Sequence, residues 1–426
     1  MKTIGVHTLG CKVNQYDTEA MLESFERAGY TGISIAEKPD VVLINTCTVT
    51  GTGDRKSEKL IRRCARENPD CAIIVAGCLA QRAAEDLLKM ENVRLAIGVQ
   101  RRAEVVSLLE QALAKDTKIN AVAPLKGAAF ESLFVSRHEG KTRATMKIQE
   151  GCDRYCAYCI IPYVRGPVRS MPMEDVRAEA ARLGQAGYRE IVVTGIHLAS
   201  YGRGTDDTLL DAIRAVHEAP GVERVRLGSL EPLAVTEEFA RMLSELPGIM
   251  RQFHLSLQSG SETVLRRMHR RYTPDEYAAA CDLLRKYMPD CAITTDIIAG
   301  FPGETEAEFQ ETLDFVRRIR FARIHAFPYS RRSGTVADRL PDQVDENLKH
   351  VRTNQLIALG NQLEEEFVQG LIGSVQSVLF ETRSAGDTAE GCTGQYVRVR
   401  AHAEPGSIRN VRILRAEGTL AIGEVE

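Results

Sequence analysis

TRATMKIQEGCDRYCAYC, residues 142–159, runs a strand-like stretch, Thr142–Gln149, straight into Cys152, Cys156 and Cys159. A cubane iron–sulfur cluster has four irons and is normally held by four thiolates. Three thiolates at CxxxCxxC spacing, with no local fourth, leave one iron open. An open coordination position marks a catalytic rather than a structural metal site. The competing reading of the same cysteines is a zinc knuckle. It needs a fourth Cys or His at ligand spacing, and neither His138 nor His197 stands at such a spacing.

Working outward, strand-like runs recur at Ile191–Thr194, Arg224–Leu227, Phe253–Leu257, Ile293–Ile298 and Arg323–Phe327. Helical patterns separate them at Met173–Gln185, Asp206–Glu218, Thr236–Glu245, Ser261–His269, Pro274–Met288 and Glu304–Arg318. Six such units predict a partial (βα)6 barrel, smaller than the eight-unit barrel. The cysteines then follow the first barrel strand at its C-terminal end, the face where active sites of such barrels collect.

The first third of the chain alternates in the same way. Strand-like runs at Thr3–Thr8, Val41–Thr46, Ala72–Ala76 and Val93–Ile97 enclose helical patterns at Tyr16–Ala28, Gly53–Glu67 and Gln81–Met90. This predicts an α/β domain with a doubly wound parallel sheet. Leu9-Gly10-Cys11, Asn45-Thr46-Cys47 and Ala76-Gly77-Cys78 each follow one of its strands. Ligands of such sheets bind outside those strand ends. Three thiolates on separate loops can therefore converge on one cluster, again with an open iron. The alternative is that they are small apolar core residues, as cysteines often are. Cys64, Cys71, Cys281, Cys291 and Cys392 are read that way.

Leu113–Gly140 is weakly patterned and reads as a linker. Beyond the barrel, Asp345–Gln369 reads as one long amphipathic helix. Ser374–Glu381, Tyr396–Ala401 and Val411–Arg415 then alternate like short antiparallel strands, predicting a small C-terminal β-barrel. The expected division is 1–112, a linker at 113–140, a core at 141–370 and a β module at 371–426.

Composition agrees with several packed domains. The chain has 426 residues, 44% of them hydrophobic, and a formal net charge of −3, so any nucleic acid must be met by local patches. No apolar run is long enough to span a bilayer. Met1–His7 lacks the apolar core of a signal peptide, and a cytoplasmic location is expected. There, eleven cysteines are better read as metal ligands or thiols than as disulfides.

CxxxCxxC with Tyr158 before its last cysteine resembles the radical S-adenosylmethionine (SAM) superfamily. The ends of the later barrel strands fit: Val193-Thr194-Gly195, Gly228-Ser229-Leu230-Glu231-Pro232, Ser256-Leu257-Gln258-Ser259-Gly260, Asp296–Glu304 and Phe327-Pro328-Tyr329-Ser330. By that resemblance Tyr158, Thr194, Gly195, Ser229, Glu231, Ser256, Gln258, Asp296, Ile298, Gly300 and Phe327 surround SAM. The implied chemistry is chelation of SAM at the open iron, reductive cleavage of its sulfonium bond, and hydrogen abstraction by the 5′-deoxyadenosyl radical.

The whole layout is similar to the methylthiotransferase family. Thr8–Glu19, Asn45-Thr46-Cys47 and Gly77-Cys78 match its opening signatures, and the C-terminal β module resembles its TRAM RNA-binding domain. The resemblance implies two 4Fe–4S clusters, one on Cys152, Cys156 and Cys159 and an auxiliary one on Cys11, Cys47 and Cys78. It also implies a tRNA partner met at its anticodon stem-loop, a reducing electron donor and a sulfur source. Gly10–Gln15 and Ile160–Pro167 are most similar to members acting on N6-threonylcarbamoyladenosine. The other substrates in the family are N6-isopentenyladenosine in tRNA and a ribosomal-protein aspartate. One departure stands out: Met171 follows Arg169-Ser170 where the family commonly has Arg, a role open to Arg165 or Arg169.

Charge supports RNA less strongly. Arg398, Arg400, Arg409, Arg412 and Arg415 could track a phosphate backbone, but residues 371–426 hold six Arg against seven Asp plus Glu. Further basic runs are Arg62-Arg63, Arg266-Arg267 with Arg270-Arg271, Arg317-Arg318 with Arg320, and Arg331-Arg332. An iron–sulfur electron carrier, or an RNA-binding protein with structural zinc, is the non-enzymatic alternative. Neither accounts for Thr194-Gly195 or Asp296–Glu304.

Overall fold

The structure is a computed structural model describing residues 2–138, 140–384 and 386–426. The linker and C-terminal expectations at Glu139 and Ala385, and the one at Met1, lie outside the described residues. Six parallel strands open the chain: β1 (Thr3–Thr8), β2 (Thr31–Gly32), β3 (Val41–Thr46), β4 (Ala72–Gly77), β5 (Val93–Ile97) and β6 (Ile119–Asn120). Their order is β2-β1-β3-β4-β5-β6. Strands β3 and β4 are buried throughout, because helices cover both faces of the sheet. Alternate residues serve separate cores: Leu43 and Ile74 pack on one face, and Val42, Ile44, Ile73 and Val75 on the other. The order reverses between β1 and β3, and Cys11 and Cys47 follow these two strands, at the crevice where such sheets take ligands.

The middle of the chain carries β7 (Arg143–Glu150), β8 (Arg169–Ser170), β9 (Glu190–Gly195), β10 (Arg224–Leu227), β11 (Ser229–Leu230), β12 (Gln252–Leu255), β13 (Ala292–Ala299) and β14 (Arg323–Pro328). They form two sheets, β10-β9-β7-β8 and β11-β12-β13-β14, with β8 antiparallel on the edge of β7. The third barrel strand is split at Gly228. A Cβ there would stand 3.1 Å from Thr194 Oγ1, a tight approach that glycine relieves where the chain passes from one sheet to the other. No ladder joins β14 to β7 among the described residues, and the barrel is open on that side.

Period-two alternation decides what lines the barrel. Ala144, Met146, Ile148, Ile191, Val193, Val225 and Leu227 pack outward against helices. Thr145, Lys147, Gln149, Thr194, Arg224 and Arg226 therefore point inward. Threonine caps start the following helices: Thr208, Thr273 and Thr305 each form a capping box with an acid three residues on.

The weakly patterned stretch 113–140 is more than a connector. It supplies β6, and its Leu133 and Val135 pack with Tyr16 and Ala20 of the helix Lys12–Arg27. His138 Nδ1 meets Glu19, and its Nε2 accepts the Thr145 N–H at 3.2 Å. So few apolar residues, on an extended chain, leave no periodic signal.

The C-terminal module has five strands rather than the three expected: β15 (Val375–Arg383), β16 (Ala389–Thr393), β17 (Arg398–Ala401), β18 (Ile408–Glu417) and β19 (Leu420–Val425). They close as β15-β16-β17-β19-β18 around Val378, Phe380, Val399, Val411 and Ile413. The two unexpected strands each carry Ala, Gly and Glu, residues with little strand propensity. The module caps the N-terminal end of the α/β barrel. The Tyr396 ring sits between two guanidiniums, 4.9 Å from Arg143 and 4.6 Å from Arg226. Arg226 also donates to the carbonyls of Thr393 and Gly394, both at 3.1 Å. Tyr396→Ala should lower the free energy of unfolding by about 2 kcal/mol in urea titration, and Tyr396→Phe, which keeps the ring face, by well under half of that.

Candidate functional site

Three loops at the C-terminal edge of the first sheet bring Cys11, Cys47 and Cys78 together. Gly10, at φ +110°, lets the first loop lie against the second: a Cβ there would stand 2.9 Å from Cys47 Cβ and 3.2 Å from its Sγ. Asn14 donates to the carbonyls of Leu9 at 2.7 Å and Thr46 at 2.9 Å, and the Thr46 hydroxyl donates to Ala76 O at 2.6 Å. The three loops are thus knitted before any ligand is considered. The Val49 N–H reaches the Cys47 sulfur at 3.5 Å, and Arg165 Nε reaches the Cys78 sulfur at 3.2 Å. Cys11 is exposed and Cys78 buried.

The second triad follows β7. Gly151, at φ +75°, packs so tightly on the chain at Pro167 that a Cβ would fall 1.9 Å from its carbonyl oxygen. Backbone N–H groups of Arg154 and Ile161 point at the sulfurs of Cys152 and Cys159. Arg270 Nη1 donates to Cys156 Sγ at 3.4 Å, while Nη2 holds the Ser256 carbonyl at 3.0 Å. Tyr158 and Ile298 pack on one small cluster with Ala157, Phe301 and Tyr329.

The remaining candidates ring the C-terminal mouth of the barrel. Thr194 is buried at the end of β9, and Gly195 sits where a Cβ would strike Gln149 at 2.7 Å. Ser229 and Ser256 share a hydrogen bond of 2.8 Å. Glu231 is held by Arg154 and by His197 Nε2 at 3.3 Å. Gln258, at φ +75°, bridges to β13 by donating to Asp296 O at 2.8 Å. The Asp296 carboxylate faces His254 Nε2 at 3.2 Å, and Phe327 is half exposed. Gly300 stands apart: its turn is pressed on the long helix Glu346–Gln369, with Lys349 Cγ 2.4 Å from where a Cβ would be.

A buried charge network lies between the two triads. Arg102, Lys147, Arg165, Asp17 and Glu150 are each at most 3% exposed in their side chains. Glu150 accepts from Arg165 at 2.6 Å and from Lys147 at 3.2 Å; Asp17 accepts from Lys147 at 2.5 Å and also meets Arg102. Burial alone would raise both carboxyls, but the surrounding cations hold them below the ordinary range. Three cations face three carboxylates here, since Arg102 also binds Glu131 at 2.9 Å, and the Arg165 guanidinium lies against Cys78. A guanidinium so placed favours anionic sulfur.

Sequence reasoning missed several of these residues. Arg270 and Arg332 sit in basic runs that read as candidate RNA-facing surface, yet Arg332 is buried and Arg270, half-buried, is turned onto Cys156 and Ser256. Arg332 binds Thr48 Oγ1 at 2.7 Å and Asp54 at 2.9 Å, holding the loop after Cys47. The signal lay in partners distant in sequence, Asp54 for Arg332 and Cys156 for Arg270. Of the two arginines open to the role of the missing one, Arg165 is the one that touches a cysteine of the first triad; Met171 is core. The C-terminal arginines are mostly paired as well, Arg398 and Arg400 with Glu390, Arg412 with Glu426 and Arg415 with Glu417.

Both triads suit a cubane. All eleven cysteines are free thiols. Among the described residues no three Cys, His, Asp or Glu converge tightly enough for one metal ion, whereas a cubane gives each thiolate its own iron. Burial pushes the Cys152 thiol up to about 11 and those of Cys78 and Cys159 up to about 12, so these sulfurs ionise only when iron displaces the proton. Alkylation of the iron-free protein at about pH 8, followed by peptide mass spectrometry, should label exposed Cys11 first and Cys78 and Cys159 at least about tenfold more slowly.

Comparison with known proteins agrees with this arrangement. Residues 146–316 match the radical SAM superfamily and residues 3–98 match a family described as uncharacterized protein family UPF0004. The threonylcarbamoyladenosine tRNA methylthiotransferase MtaB of Bacillus subtilis is 41% identical over 98% of this chain and 94% of its own. The tRNA-2-methylthio-N(6)-dimethylallyladenosine synthase of Thermoanaerobacter sp. is 35% identical over 99% of this chain and 92% of its own. Among solved structures, the radical SAM methyltransferase TsrM from Kitasatospora setae shares the fold, with a TM-score of 0.60 at 13% identity over 88% of this chain and 77% of that one. Superfamily chemistry of this kind uses S-adenosylmethionine with an iron–sulfur cluster. The chain belongs to the tRNA methylthiotransferases of the radical SAM superfamily.

Proposed function

We propose that this enzyme replaces the C2 hydrogen of N6-threonylcarbamoyladenosine, beside the tRNA anticodon, with a methylthio group. The observation that carries the reading is the pairing of two open-sided cysteine triads across one charge network, in a chain whose likeness to a relative named for that nucleoside is nearly full-length. Relatives named for the dimethylallyl nucleoside match as widely at lower identity, which makes that nucleoside the competing substrate.

In this reading Cys152, Cys156 and Cys159 hold the cluster that takes SAM, and Cys11, Cys47 and Cys78 hold the auxiliary cluster. When bound, the clusters and SAM supply reductive sulfonium cleavage, hydrogen abstraction and sulfur delivery. The chain's own residues orient and shield. Tyr158 and Ile298 wall the cofactor's side of the lumen from solvent. Ser229, Ser256 and the Arg154- and His197-bound Glu231 offer polar contacts at its mouth. Thr194, Gly195, Gln258 and Asp296 set the rim against which SAM lies. Arg270 and Arg165 each bring a guanidinium to one triad. Residues 371–426 form the RNA-gripping module, with an open groove of about 570 Å³ that includes Arg400, His402 and Arg415. The reaction further needs an electron donor and a sulfur source, in the cytoplasm where tRNA is.

Nucleoside mass spectrometry of tRNA from cells lacking the protein tests this. The 2-methylthio derivative of threonylcarbamoyladenosine should vanish and its unthiolated parent accumulate. Loss of the dimethylallyl derivative instead, or no change, contradicts the substrate assignment.

A further inference from the structure

Lys12 follows Cys11 directly and has no counterion of its own. Its side chain is exposed and takes part in no hydrogen bond or ion pair among the described residues. It opens on a crevice of about 300 Å³ lined also by Lys141, Arg143, Thr145, Glu381 and Tyr396. Thr145 lies on β7 and Arg143 at its start, so the crevice is a side arm of the barrel lumen beneath the cysteine triads.

The acids nearby are already committed. Glu190 binds Arg224 and Arg226, each at 2.8 Å. Glu381 binds Arg143 at 2.7 Å, and Lys141 pairs with Glu19. Lys12, Arg143, Arg224 and Arg226 therefore face only two carboxylates, Glu190 and Glu381. A partly enclosed crevice with unbalanced positive charge is a site for an anion. A neutral apolar group placed there would desolvate those cations and give nothing in return.

We propose that Lys12 binds the carboxylate of the amino-acid substituent on the target adenosine, and thereby selects that nucleoside over one carrying a neutral, apolar chain. The inference rests on the substrate reading above. An ammonium at a carboxylate forms a charge-assisted hydrogen bond, the strong kind, and a site built for a polar group rejects the analogue lacking it far better than an apolar pocket rejects the converse. RNA offers a second source of anionic oxygen, the backbone phosphate, which every substrate shares.

Equilibrium filter binding with the reconstituted holoenzyme separates these cases. Two anticodon stem-loops identical except for the threonylcarbamoyl group on the target adenosine are compared at one salt concentration. Wild type should prefer the modified RNA. Lys12→Met should reduce that preference by about tenfold while leaving affinity for the unmodified RNA in place, and Lys12→Arg should restore most of it. An unchanged preference in Lys12→Met overturns the proposal. Equal weakening of both RNAs also overturns it, since the lysine then grips phosphate. A wild type with no preference between the two RNAs sinks the substrate reading itself, and Lys12's role with it.

Discussion

Arg165 donates to the Cys78 sulfur at 3.2 Å and to the Glu150 carboxylate at 2.6 Å, and the rest of the site depends on that one guanidinium. Glu150 ends the strand that leads into Cys152, and Arg165 ends the short helix that follows Cys159. Cys78 opens the helix after the fourth strand of the first sheet. A single buried side chain thus ties two domains and both cysteine sets. Breaking a buried ion pair by removing one partner costs about 3–5 kcal/mol, because the other charge is left uncompensated. Arg102 and Lys147 widen the tie by sharing Asp17 and Glu150. The spacing between the two triads is therefore set by protein charge, not left to the ligands they hold.

Around this tie the domains divide the labour. The first sheet presents its triad at a topological switch point, and the half-open barrel presents the other at its C-terminal mouth. The C-terminal module closes the opposite end through Tyr396 and the arginines of the lowest barrel layer. What stays open, among the described residues, is the side of the barrel between β7 and β14.

Much of this was legible in the sequence because it is local. Strand–helix alternation and the place of each triad cysteine after a strand are short-range patterns, and they were enough to read the strand ends at which both triads lie. What was not legible depends on partners far along the chain. Arg165, Arg270 and Arg332 look like surface cations until Glu150, Cys156 and Asp54 are folded against them. The C-terminal acids were counted against the arginines from the sequence, but which of them pair, Glu390, Glu417 and Glu426, appears only in the fold. The break at Gly228 and the strands Ala389–Thr393 and Leu420–Val425 escaped because small residues pack well yet signal weakly.

The central claim is that the chain holds two independent clusters, one on each triad. Iron and sulfide analysis after anaerobic reconstitution tests it most directly, on wild type and on two variants in which either Cys11, Cys47 and Cys78 or Cys152, Cys156 and Cys159 are replaced by alanine. The account predicts about eight irons per chain in wild type and about four in each variant. About four irons in wild type, unchanged by loss of the first triad, would contradict it.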